Sequence, residues 1–180
     1  VNSLGMLFPN LFNFVATNPA TSRILKKMLG FATERSIPTL GKTTLRRWAA
    51  RHLDALNRNL PEGAPEVILY VDEFTNYNDT HLGITTIRLL NRIGVRVLME
   101  NHPVSARTYI SKGLIKKAKK IAGKNVRQLG DRVSESRPLV GIEPSAILGF
   151  RDDEMIGQEQ IKGPKQWRKT RFSGSWLLPC

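Results

Sequence analysis

Cysteine is all but missing from this chain: the single copy is the last of 180 residues, Cys180. One terminal thiol excludes an internal disulfide and a cysteine-based zinc site. It also excludes a cluster held by thiolates from this chain alone. Long apolar runs are absent too. No stretch of about eighteen apolar residues occurs, and the early segment MLFPNLFNFV is short, broken by Pro9 and without a basic leader, so a spanning helix and a signal peptide are both unsupported. The expectation is a cytoplasmic protein. A glycine-rich phosphate loop is lacking as well: GKTT at 41–44 has no preceding glycine at the required spacing and no preceding strand. The first residue is Val1 rather than Met, which fits a fragment or a processed product.

Acids are scarce. Fifteen Asp and Glu face 28 Lys and Arg, a net charge of +13. Gathered on one face, such a charge attracts nucleic acid. Here it is scattered. Lys112, Lys116, Lys117, Lys119, Lys120, Lys124 and Arg127 decorate one helical segment, while Leu114, Ile115, Ala118, Ile121, Ala122, Val126 and Leu129 supply its apolar stripe. A solvated outer face is the expected reading, and nucleic acid is disfavoured as a partner.

Residues 1–60 read as a helical appendage. Asn18 before Pro19 fits a helix start, Ile24, Leu25, Met28 and Leu29 give one apolar face, and Gly30 gives the stop. Leu45, Trp48, Ala49, His52, Leu53 and Leu56 recur at helical spacing, with His52 expected as a packed, hydrogen-bonded side chain. NLPEGAPE at 59–66 marks a boundary between appendage and core. Residues 66–154 then alternate: strand 67–73, helix about 80–93 closed by Gly94, strand 95–100, helix about 111–129 closed by Gly130, strand 138–142. Helices of this length between strands imply right-handed crossovers, hence an α/β fold with a Rossmann-like parallel sheet and flanking helices. Residues 155–180 lose apolar periodicity and gather basic residues around Trp167, Phe172 and Trp176, so a disordered, basic or frameshifted tail is expected there.

Ligands of parallel sheets lie beyond the carboxyl ends of the strands. The polar residues there are Asp72, Glu73, Thr75, Asn76 and Asn78 after the first strand, Asn101 and His102 after the second, and Glu143 and Ser145 after the third. Glu73, His102 and Glu143 combine hard oxygen donors with an imidazole, a set suited to a divalent metal if they converge. Acids and amides after strands are also ordinary helix caps. TNYND with SKG offers an anion pocket at helix starts, the plainer reading being Ser111 as an N-cap and Lys112 in solvent. His81 is expected to be exposed.

VDEFTNYNDTHLGITTIRLLNRIGVRV, ARTYISKGLIKKAKKIAGKNV and VGIEPSAILGFRDDE, within residues 67–154, resemble the cysteine-rich (CCG) domain of iron–sulfur oxidoreductases. That domain occurs in heterodisulfide reductases, in anaerobic glycerol-3-phosphate dehydrogenases, and behind FAD-linked 2-hydroxy-acid oxidases. GFATERSIPTLGKTTLRRW at 30–48 resembles the linker of the FAD-fused proteins, which favours a C-terminal piece of such an oxidase. The resemblance implies cluster-binding cysteines after the first strand, as a Cys-Cys-Gly after the second, and after EPS. This chain places Glu73, Val104-Ser105-Ala106 and Ala146 there. Iron–sulfur clusters need anionic sulfur donors, so the expectation is no cofactor in this chain, with FAD and iron–sulfur clusters elsewhere in the parent protein. The implied partners are flavin and ferredoxin-like modules of that protein, whether fused or separate. No G-x-S-x-G elbow or other nucleophilic motif appears, so a structural or docking role inside an oxidoreductase is expected rather than catalysis by this chain alone.

Overall fold

The computed structural model describes residues 2–151; the expectations for 155–180 lie outside them. The elements run α1 (Asn2–Gly5), α2 (Pro9–Thr17), α3 (Pro19–Leu29), α4 (Leu45–Arg58), β1 (Glu66–Tyr70), α5 (Glu73–Tyr77) and α6 (Thr80–Arg92), followed by β2 (Arg96–Leu98), α7 (Arg107–Ile110), α8 (Ile115–Leu129), β3 (Leu139–Gly141) and α9 (Pro144–Arg151). The three strands form one sheet in the order β2-β1-β3, and both pairings are parallel. The α/β parallel fold expected from the alternation is therefore present. Among the described residues no helix is long and apolar enough to cross a membrane.

Period-two alternation along β1 explains why the sheet is covered on both sides. Leu69 of β1 and Val71 just beyond it face one way, into a core with Val97 of β2, Leu45 and Ala49 of α4, and Ile87 of α6. Ile68 and Tyr70 point to the other face, where they pack with Leu139 of β3, with Leu129 of α8, and with Ala146 and Phe150 of α9. The helix before the 59–66 loop thus packs against the same sheet as the helices after it. On β2, Asn57 of α4 brackets one residue: its Nδ2 donates to Val97 O at 2.7 Å and its Oδ1 accepts from Val97 N at 3.2 Å. That side chain satisfies an edge that no further strand covers among the described residues.

Several boundaries differ from the expectation, each for a local reason. The first strand stops at Tyr70 rather than 73, because Asp72 turns the chain into α5 by accepting from Phe74 N and Thr75 N. The helix expected over 111–129 begins only at Ile115, as α8, with the separate short α7 before it. Ser111 is the C-cap of α7 rather than an N-cap, and Gly113 at φ 69 supplies a left-handed turn before α8. Leu114 and Ile115 consequently leave the buried stripe and are exposed, whereas Ala118, Ala122, Val126 and Leu129 are buried. The lysines of this segment and Arg127 are all exposed, as a solvated face requires. Asn18 caps α3 as its sequence implies, accepting from Ala20 N and Thr21 N. The apolar face of α3 is not buried, however: Ile24 and Met28 are 63% and 80% exposed.

Candidate functional site

The rim beyond β1 and β2 is built by short polar links between elements. Asp72 is buried at the start of α5, where Oδ1 accepts two backbone N–H groups and Oδ2 accepts the Thr75 hydroxyl. Asn76 of α5 accepts from Arg46 N at 3.2 Å and so caps the first turn of α4. Asn78 donates to Thr39 O at 2.8 Å. These three side chains, candidates for a site by sequence, tie helices and loops together.

His102 is the most constrained group on the rim. Its Nε2 faces Val71 N at 3.2 Å and Arg46 Nη2 at 2.7 Å, while Nδ1 faces Pro103 O at 2.7 Å. A backbone N–H and a guanidinium can only donate, and a carbonyl can only accept, so the ring is neutral with its proton on Nδ1. Burial, then the neighbouring Arg46 charge, lowers its pKa to about 4. The ring also stacks on Tyr70 with centroids 4.2 Å apart. Arg46 completes the link by donating from Nη1 to Glu100 O at 3.2 Å.

Glu73 reaches across to the loop after β2. Its Oε1 accepts from Ser105 N at 3.0 Å and from the Thr108 hydroxyl at 3.3 Å. Burial raises its pKa, with hydrogen bonds opposing the shift. The structure therefore brings together two of the places at which the resemblance implies cluster cysteines, Glu73 and Ser105. Val104 is exposed, Ala106 is buried, and Ala146 packs in the cluster containing Tyr70. An iron–sulfur cluster does not fit this donor set: the side chains are carboxylate, hydroxyl and hydrocarbon, and the carboxylate is committed to an amide and a hydroxyl.

The metal set Glu73, His102 and Glu143 does not form. Among the described residues no three His, Cys, Asp or Glu side chains are grouped to hold a metal ion. The physical reason is that both His102 nitrogens are engaged, and Glu143 accepts from Ser145 Oγ at 2.6 Å on its own helix end. Asn101 and Ser145 are exposed. The anion pocket fails for a different reason: Ser111 and Lys112 lie at the carboxyl end of α7, and Ser111 Oγ donates to Thr108 O. His81 is exposed; His52 is exposed too, although it contacts Trp48 O at 2.7 Å and stacks on the Trp48 ring.

Three contributors to the rim carry little signal in the sequence. Arg46 is marked only by lying in an amphipathic helix. Tyr70 reads as a strand residue. Asn125 has the clearest signal, because it falls beside Ala122, Val126 and Leu129; it is fully buried and donates to Val104 O at 3.2 Å, anchoring the loop after β2.

Comparison with known proteins adds a relationship to this geometry. The chain is 23% identical over 162 residues to a protein from Escherichia coli strain K12, and 25% identical over 160 residues to one from Pantoea ananatis. A protein from Pseudomonas putida is 25% identical over 174 residues. All three are D-2-hydroxyglutarate dehydrogenases. The matches cover 83–94% of this chain but only 15–17% of the relatives' own length, so the chain spans about a sixth of each dehydrogenase. No family model and no solved structure matches it.

Proposed function

We propose that this chain is a structural or docking domain of a FAD-linked oxidase acting on a 2-hydroxy acid, derived from a cluster-binding domain and no longer able to hold a cluster. The observation that carries this reading is the Glu73 carboxylate accepting from Ser105 N at 3.0 Å, across positions where the resemblance implies cysteines. A hydrogen-bonded tie between the ends of β1 and β2 stands where soft donors would be needed. The likeness to D-2-hydroxyglutarate dehydrogenases supports the oxidase setting, and their much greater length supports a role as one part of it. In this reading the flavin chemistry belongs to the rest of the parent protein, and the residues of this domain hold a rim in place. Asp72 and Asn76 set the helix starts, His102 and Arg46 lock the ends of β1 and β2, and Asn125 fixes the following loop.

The test is turnover. The purified chain, supplied with FAD, D-2-hydroxyglutarate and an artificial electron acceptor, is expected to show no oxidation above the protein-free control. Substrate-dependent acceptor reduction that scales with chain concentration would refute the non-catalytic reading.

A further inference from the structure

Residues 2–44 hold far more apolar side chain than they bury. Among the side chains described there, only Ala16 and Leu40 are buried hydrophobics, whereas Leu4, Leu7, Phe8, Leu11, Phe14, Ile24, Met28 and Phe31 are 53–80% exposed. Their order is not random. Leu11 and Phe14 are three apart on α2 and Ile24 and Met28 four apart on α3, while Leu4 is on α1, Leu7 and Phe8 are in the turn between α1 and α2, and Phe31 follows the left-handed Gly30 beyond α3. Such spacing normally marks the face a helix turns toward a core, and on α2 and α3 it faces outward with the turn residues beside it. Large ordered apolar stripes on a surface mark an interaction site.

The segment is nevertheless fastened to the domain, so the stripes have a fixed address. Asn13 brackets Leu40, donating from Nδ2 to its carbonyl at 2.8 Å and accepting from its N–H at 2.7 Å. Gly41 N donates to Tyr77 O at 2.7 Å. Charge narrows the choice of occupant. On α2 and α3 the exposed charges are Arg23 and Lys27, with no Asp or Glu before Glu34; Lys26 is buried and its Nζ donates to Thr33 O. A second copy would set like charges against each other, which disfavours self-association through these stripes. An apolar surface rimmed by carboxylates is complementary. The relatives supply the location of such a surface: up to 94% of this chain matches within proteins of which it is about a sixth, so the corresponding segment of each relative is joined to a large remainder.

We infer that the α2 and α3 stripes dock on an acid-rimmed apolar surface of the remainder of the parent oxidase, an inference that rests on the docking role proposed above. The probe is the E. coli D-2-hydroxyglutarate dehydrogenase lacking the 16% of its length that this chain matches, prepared so that it rebinds its own excised segment. The 180-residue chain is titrated onto it by biolayer interferometry. Saturable binding is expected, weakened at least about tenfold by the pair Leu11→Asp and Phe14→Asp and weakened by added salt. Leu89→Asp, an equally exposed apolar site on α6, is expected to leave it unchanged, and circular dichroism must show all variants folded. Binding that survives the paired substitution overturns the assignment of the face while leaving docking intact. No binding by the wild-type chain overturns the docking role itself. Dimerisation in sedimentation velocity that the same pair abolishes assigns the stripes to a second copy, and binding to anionic phosphatidylserine vesicles in place of the probe assigns them to a membrane; either result overturns the inference.

Discussion

Acidification should weaken this fold through His102, and the structure gives the size of the effect. The ring is neutral in the native state because Nε2 must accept from Val71 N–H and Arg46. Protonation would remove that acceptor and place two cations together. The folded-state pKa is about 4 against an ordinary 6.5. The unfolded chain therefore binds a proton first, and stability falls as pH drops through the interval between those values. At about 1.4 kcal/mol per pH unit, the full loss is about 3 kcal/mol, of which about 2 kcal/mol has gone by about pH 5. Glu73 acts in the opposite sense: its raised pKa means that protonation on acidification relieves the cost of burying its charge. The comparison is therefore wild type against His102→Gln, in urea denaturation at fixed ionic strength across that pH range. The variant is destabilised at neutral pH, and the gap to wild type should narrow by about 3 kcal/mol on reaching about pH 4. A gap that stays constant, or an NMR titration placing His102 near its ordinary value, would refute the neutral-anchor account.

Two further substitutions probe the frame around the rim. Asn57→Ala leaves the Val97 N–H and carbonyl without their side-chain partner and should cost about 2–3 kcal/mol, with faster hydrogen exchange at Val97; unchanged exchange would contradict the bracketing role. Gly83→Ala places a methyl group against the Leu45 side chain and 3.0 Å from Thr75 Cγ2, so overpacking between α4 and α6 should cost about 1–3 kcal/mol in thermal or urea denaturation, and a neutral result would show that Leu45 can move aside.

The architecture is more legible in the sequence than the rim. Strand and helix alternation exposes the parallel sheet because β1 is apolar on both faces and the crossover helices have regular stripes. Element ends are less legible, since Asp72 and Gly113 act through backbone geometry that periodicity does not register. The polar groups at the strand ends stand out by position, but what each one does depends on partners distant in sequence. His102 pairs with Arg46, 56 residues away, and Glu73 with Ser105, 32 away. The outward stripes of α2 and α3 illustrate the opposite limit: helical spacing identifies an apolar face but does not say whether the chain itself covers it.

The central claim is that sulfur donors have been replaced by a closed hydrogen-bonded tie, and anaerobic reconstitution tests it most directly. Chain treated with ferrous iron and sulfide, then desalted, should retain neither iron nor acid-labile sulfide above background and should remain colourless. Stoichiometric iron and sulfide with a reducible chromophore would contradict it.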